Sequence, residues 1–465
     1  MQAGFGKCEI TPRVGVELYG FGPFLNRKSI GIRDILEARS AALECGGHTV
    51  VIVSLDLCAL HVPEVIVKIR SLIRSRHPEL NDCDIMINTS HTHSGPAAHT
   101  RNTGWGATDP AWLAILPARI ASSVDQAIAN LEPVKVSQAM VSCRHMGLNR
   151  VYDKDAPPLD EVLKEDWEPA KPELTDTECR VIRFDSPDGR LLGFMANFGC
   201  HPVVCSASNR YIHGDWPGVA MHNLMREFPG SVGMFLQGAE GDVNSGCVHK
   251  GEQDSLLALD VFAARFANAV RNGLKQAQEI DIPFIHSISK VFPFRAKSVF
   301  TFEKLEAIRQ EQEAVLLSDT ADDNRFDCRM AAVYLLGIEQ MKAVLERGKT
   351  GLDAELQLIR MGELQFMGAP FEIMQAIKND IVAASKVKYP MVMSLTNGSH
   401  GYAPDNTSLK GADRVTGSGR EGNYESVKVP LIGGQLPFAD IHNELVRYMA
   451  ELEKELDKLF CNKKS

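Results

Sequence analysis

Four short apolar runs constrain this chain more than any other feature: Val50–Leu55, Ile85–Asn88, Leu192–Asn197 and Gly233–Leu236. Each is bounded by polar or glycine-containing segments, which is the signature of buried strands. Helical spacing of apolar and charged residues covers Pro63–Arg76, Pro110–Leu131, Ser255–Glu279 and, most extensively, Phe302–Gly348, which Asp319–Arg325 interrupts. Pro63 suits a first helical position. Asp440–Phe460 reads as a closing helix that runs into a solvated basic tail, Lys463-Lys464-Ser465. The expected class is α/β: a mixed β-sheet core flanked by helices, with the active site at strand ends and a helical insertion. In the absence of repeats or low-complexity tracts, residues 1–465 read as a single domain. The insertion, at about 299–350, reads as a hairpin set before the final strands rather than as a lid, and Asp153–Leu174 as a long surface loop.

Composition removes several function classes. Of 465 residues, 44% are hydrophobic and 23% charged, so a sizeable core is available. A formal charge of −9 without a basic stripe argues against nucleic acid as a partner. No apolar run approaches the roughly 20 residues needed to cross a bilayer, and the first residues lead into a strand-like start rather than a secretory leader. Eleven cysteines without CxxC pairs suit a reducing compartment, so the expected location is cytoplasmic. Cys200 and Cys205 read as small core residues rather than thiolate ligands. Oligomeric state has no signature here.

Chemistry concentrates where the strand runs end. In Asn88-Thr-Ser-His-Thr-His-Ser-Gly-Pro96 the histidines stand two apart, so an extended backbone aims His91 and His93 to one face. Imidazole nitrogen is a ready zinc ligand, and a catalytic zinc site takes about three protein ligands and keeps a position open. His201 follows another strand run in Asn197-Phe-Gly-Cys-His-Pro202. A third run ends in Gln237-Gly-Ala-Glu-Gly-Asp-Val-Asn-Ser245, with two carboxylates, amides and glycines that permit close approach. In open α/β sheets, loops beyond carboxyl strand ends hold the ligands, so His91, His201 and Asp242 are expected to converge.

In their order along the chain, these segments resemble the neutral/alkaline (non-lysosomal) ceramidase family at its amidase domain. The resemblance also takes in Gly4-Phe-Gly-Lys-Cys-Glu-Ile-Thr-Pro12, Gly31-Ile-Arg-Asp34 with Ala38-Arg39, Ser54-Leu-Asp56, Gly147-Leu-Asn-Arg150, Asp215-Trp-Pro-Gly218 and Gly401-Tyr-Ala-Pro404. It runs to about Pro437 and is weak over Asp281–Gly351. It implies one zinc ion held by His91, His201, Tyr402 and a glutamate, with His93 and Arg150 holding the substrate amide. A bound cation stabilises a phenolate, an imidazole can move a proton, and a guanidinium can steady an oxyanion.

Two departures from the family pattern shape the expected mechanism. Where the family has serine after Gly-Asp-Val, this chain has Asn244, which cannot be a hydroxyl nucleophile, and Ser245 comes one residue late. Attack by zinc-activated water is therefore expected, with Asn244 or Asp242 orienting it. The family's glutamate ligand aligns with Ala369, leaving Glu372 as the expected replacement and His400 and Glu240 as rivals. The function expected is a zinc-dependent hydrolase cleaving the amide bond of a small-molecule N-acyl substrate, with lipid metabolism as one setting. Two other readings fit the same residues. One is an esterase or other metal-dependent hydrolase on the same centre, and the other a non-catalytic relative that binds a small molecule or metal.

Overall fold

The computed structural model describes residues 1–99, 104–153, 156–406 and 424–461, together with the short strands Ser408–Leu409 and Ala412–Asp413. The basic tail lies outside the described residues. Three sheets form the frame. The first contains β1 (Gln2–Glu9), β2 (Glu37–Cys45), β3 (His48–Leu55), β4 (Ile85–Thr89) and β5 (Glu132–Pro133), in the order β4-β3-β2-β1-β5. The second contains β6 (Lys135–Ser142), β7 (Glu178–Asp185), β8 (Leu191–Phe198), β9 (Val232–Gln237) and β10 (Gln278–Ile280), in the order β9-β8-β7-β6-β10. The third runs β11 (Ile285–Arg295), β12 (Gly351–Met361), β13 (Leu364–Gly368), β14 (Tyr389–Met393).

Each sheet is mostly antiparallel but carries one parallel pair at an edge: β3 with β4, β8 with β9, and β13 with β14. The four expected strands are β3, β4, β8 and β9, and their runs are apolar because helices cover one face of each sheet and a neighbouring sheet the other. Glu279, expected in a helix, instead belongs to the edge strand β10, since the helix ends at Gln276.

The three edge strands β4, β9 and β14 meet one another, and buried amides tie the seam. Asn88 accepts a hydrogen bond from the Gln237 backbone (2.8 Å) and donates to the Ser394 carbonyl (2.6 Å). The Gln237 side chain donates to the carbonyls of Ser90 (2.9 Å) and Cys200 (3.2 Å). A buried backbone edge must be paired or covered, and here side-chain amides and neighbouring backbone supply the partners. A second tie lies beneath. Arg39, fully buried, donates to Glu37 (3.0 Å) and Asp56 (2.8 Å), and Glu37 also meets His222 of the helix Asp215–Glu227. Ala38-Arg39 and Ser54-Leu-Asp56 thus serve the scaffold.

Helices α1 (Pro63–Arg76) and α2 (Pro110–Ala129) cover the first sheet; α3 (Asp215–Glu227) and α4 (Glu252–Gln276) cover the second. Between β11 and β12 stands a hairpin of α5 (Phe302–Leu316) and α6 (Phe326–Glu346). It has a small core of its own, in which Leu305, Ile338 and Met341 pack on Leu431 and Leu436. Contact with that segment is tight: a Cβ on Gly337 would fall 1.5 Å from the Leu431 carbonyl oxygen. The hairpin is a wall of the cavity described below, since Gln340, Val344 and Arg347 line it. Within Asp153–Leu174 the described residues include a helical turn, Leu159–Val162. No helix among the described residues is long and apolar enough to cross a membrane.

Candidate metal centre

The carboxyl ends of the three parallel pairs point to one place. Beyond β4 the chain turns at His91, whose backbone is left-handed (φ 72°) and whose N–H donates to the Leu57 carbonyl. A non-glycine residue held there by its surroundings is a common mark of a functional turn. Thr92 faces away, donating to the His213 carbonyl (3.0 Å), so His91 and His93 share the opposite side. Beyond β8, His201 is tied through its N–H to Val243 (2.8 Å), and its carbonyl accepts from Ser245 Oγ (2.5 Å). Beyond β13, Glu372–Ile373 pairs in parallel with Tyr402–Ala403, Glu372 directly opposite Tyr402, so both side chains project from one face.

His91 Nε2 lies 3.4 Å and His201 Nε2 3.2 Å from Glu372 Oε2, and all three residues are buried. His91 donates through Nδ1 to the Cys58 carbonyl (3.0 Å), and His201 through Nδ1 to the Glu240 carbonyl (2.6 Å). Each backbone acceptor holds the Nδ1 proton, which turns Nε2 toward Glu372. His201 Nε2 and Glu372 Oε2, though close, make no aligned hydrogen bond among the described residues. Orphaned buried atoms of this kind call for a ligand. Donors about 2.0–2.1 Å from a tetrahedral zinc stand roughly 3.3 Å from one another, which is the spacing found. The residues fit the metal that the sequence implies.

The electrostatics agree. Burial pushes His201 down to about 4, against the pull of Glu372, leaving a neutral imidazole able to ligate. Burial would lower His91 too, but Cys58 and Glu372 outweigh it and raise it well above its usual value. Glu372 lies well below the usual carboxylate range because His91 and His201 overcome the cost of burial. Without a metal, the cluster keeps a proton as its cation.

His93 completes the inner group, with Nε2 3.3 Å from His91 Nε2 and its Nδ1 buried without a hydrogen bond. Its ring sits against Gly20 (φ 113°), where a Cβ would come within 2.4 Å of it. Tyr402 stacks on His201 with ring centroids 6.4 Å apart. Arg150 lies over the Tyr402 ring at 4.8 Å and is held by Glu425 (3.0 Å), so its guanidinium reaches the centre through Tyr402 and does not line the cavity.

Asp242 sits outside the cluster, against the convergence expected of it. Its oxygens accept from Asn149 (2.8 Å) and the Gln375 backbone (2.9 Å), which ties the loop instead of facing substrate. Asn244 bridges the His201 backbone and likewise does not line the cavity. Ser245, fully buried on the His201 carbonyl, is not presented to it either. Of the rivals to Glu372, His400 packs its ring on Phe371 (5.9 Å), and Glu240 contributes its carbonyl while burial pushes its carboxyl up to about 8. Ala369 is buried in the backbone pairing of its loop.

Sequence reasoning missed Cys58, Gly20, Tyr19 and Glu425. Cys58 follows the end of β3, where the strand-end rule could have found it; the others carry no motif. The centre forms the floor of a cavity of about 540 Å³ whose lining includes residues of the hairpin and of Val429–Gly433.

Comparisons with known proteins agree with this architecture. Neutral ceramidase A of Dictyostelium discoideum is 26% identical over 260 residues, 52% of this chain. The chain spans only 35% of the length of that curated relative. The crystal structure of neutral ceramidase from Pseudomonas aeruginosa superposes with a TM-score of 0.71 at 19% identity, over 97% of this chain and 74% of that one. A ceramidase complexed with C2 gives 0.73 at 19% identity, over 98% and 75%. The fold is therefore shared across nearly the whole chain, hairpin included. Residues 1–255, more than half the chain, match the family described as neutral/alkaline non-lysosomal ceramidase, N-terminal. With β4, β8 and both histidine loops inside that match, the chain belongs to the neutral/alkaline non-lysosomal ceramidase family.

Proposed function

We propose that the chain is a zinc-dependent hydrolase that cleaves a linear N-acyl amide, holding one ion through His91, His201, Glu372 and Tyr402. The observation that carries this reading is that His91 Nε2, His201 Nε2 and Glu372 Oε2 are turned to one point, the last two without a hydrogen bond among the described residues, with both Nδ1 atoms pinned from behind. When bound there, zinc supplies a Lewis acid that polarises the carbonyl and makes water nucleophilic at neutral pH. Family membership supports hydrolysis of an amide over other metal chemistry.

The remaining tasks fall to the chain. His93, buried beside His91, is the proton carrier between the attacking water and the departing nitrogen. Arg150 acts as a positioning residue: clamped by Glu425, it fixes the Tyr402 ring and lends it positive charge. Asn244 offers no nucleophile and Ser245 Oγ is spent on the His201 carbonyl, which supports direct attack by water without a covalent acyl intermediate. The ten cysteines from Cys8 to Cys328 are free, which supports a reducing, cytoplasmic setting.

The test is elemental analysis of the purified protein together with assays on matched N-acyl and O-acyl substrates. About one zinc per chain and amide cleavage are expected. Turnover of the ester alone would replace the amidase reading with an esterase one. A zinc-loaded sample that leaves both untouched would make the chain a binding protein.

A further inference from the structure

Beside the metal centre the cavity has a second group of polar side chains that neither the ligand set nor the proton path uses. Ser399 is only 6% exposed, lines the cavity, and makes no hydrogen bond through Oγ among the described residues. His61 also lines it, with Nε2 buried and equally without a partner. Tyr19 joins them, its ring 5.2 Å from that of His61. These positions are built rather than accidental. Asn397 accepts from the Ile87 backbone (2.9 Å) and donates to Gln357, which anchors the Ser399 loop to β4. His61 follows Cys58, whose carbonyl holds His91. Polar atoms buried without partners are costly to a fold, so a wall with two of them is a wall shaped for something that binds.

The donors identify what that is. A serine hydroxyl, a phenol and an imidazole N–H can all donate, and together with positive charge they suit an ionised carboxylate, which only accepts. The charged side chains of the lining include Arg347 and Lys349, whereas one of its two carboxylates, Glu372, belongs to the metal cluster. A divalent ion at the centre leaves the cavity electropositive. Along the remaining wall, Val344, Leu352, Val429 and Leu436 offer an apolar track.

We propose that the substrate is an N-acyl amino acid, its carboxylate received by Tyr19, His61 and Ser399 and its acyl chain laid along the apolar track. This rests on the amidase reading. Water would add to the acyl carbon, the C–N bond would break, and the nitrogen would take up a proton, releasing a carboxylic acid and a free amino acid.

The experiment compares N-decanoylglycine with N-decanoylethanolamine, which differ only in carboxylate against hydroxymethyl. Both the dissociation constant and kcat/KM are measured on the zinc-loaded full chain. The glycine conjugate should bind at least about tenfold more tightly, and Ser399→Ala and His61→Gln, checked for an unchanged melting profile, should each move the ratio of the two substrates toward one. Ser399→Ala deletes one oxygen and keeps the assay informative if the His61 variant misfolds. Equal binding of the two conjugates, or an unchanged ratio in both variants, overturns this inference while leaving the amidase reading intact. A glycine preference in binding without cleavage of either conjugate overturns the amidase reading and leaves the carboxylate site standing.

Discussion

Among the described residues, three buried groups of His, Cys, Asp and Glu bring potential ligand atoms together, one of them, Cys58 with His91 and His93, sharing His91 with the centre; of the two that share no residue, only one has anything left to give. His91, His201 and Glu372 form the first, Cys205, His213 and Asp215 the second, and in each the potential ligand atoms lie within 4.8 Å of one another. In the second, the lone pairs are already committed. Asp215 accepts from the backbones of Trp216 (2.8 Å), Cys205 (3.2 Å) and Val204 (3.3 Å). His213 accepts the Asp215 N–H (3.1 Å) on Nδ1 and meets Asn209 (3.1 Å) on Nε2. Burial holds the Cys205 thiol well above its usual range, so it stays protonated, donating to the Ser255 carbonyl. In the first cluster, hydrogen bonds to backbone carbonyls go to the far nitrogens, the near nitrogen of His201 stays bare and that of His91 meets only His93. Both bring three potential ligand atoms equally close; the direction in which each hydrogen bond is spent differs.

The sharpest way to break the comparison is His201→Ala, or His91→Ala. Either should remove bound zinc and lower activity by more than about 100-fold, beyond the 10–100-fold typical of residues that only support a ligand; metal content equal to wild type would refute the assignment. Glu372→Gln keeps the shape and removes the charge, and competition with a chromogenic chelator should report zinc held about 100-fold more weakly. Gly20→Ala pushes the His93 ring aside, so kcat should fall about 10–100-fold with zinc retained, which separates proton transfer from metal binding. In the second cluster, Asp215→Ala should leave zinc stoichiometry unchanged but cost about 1–3 kcal/mol in denaturant unfolding, because backbone N–H groups lose their acceptor.

The gentlest test is pH. Burial pushes the Asp215 carboxyl up to about 6, whereas in an unfolded chain it releases its proton near 3.9. The folded state therefore holds the extra proton between these values, and its contribution is greatest below about pH 4, declines as pH rises toward 6 and is flat beyond. The stability difference between wild type and Asp215→Asn should follow that curve; a difference independent of pH from 4 to 7 would mean that the carboxyl is ionised throughout.

Much of the frame was legible because burial on both faces writes a simple signal. β3, β4, β8 and β9 carry continuous apolar runs, and the loops beyond two of them hold His91 and His201. The antiparallel strands were not legible. β11, with His286, Ser287, Ser289 and Lys290 among its residues, is too mixed to read as a strand without its partner β12. At the centre, Glu372 and Tyr402 come together through a two-residue parallel pairing that leaves no periodicity. The pins behind His91 and His201 are backbone carbonyls, which no side-chain identity announces. Asp242 was misjudged because a carboxylate beside glycines looks the same in a sequence whether it faces a substrate or a neighbouring N–H.

The seam where β4, β9 and β14 meet turns a catalytic feature into one of solubility. Each is the margin of its own sheet, and in the native state each margin is hidden by the other two and by the amides of Asn88 and Gln237. Were the seam to open, three apolar strand edges would be bared at once, each able to pair with the same edge of another copy. Loss of Asn88 is therefore expected to send the protein into aggregates before its chemistry can be assayed.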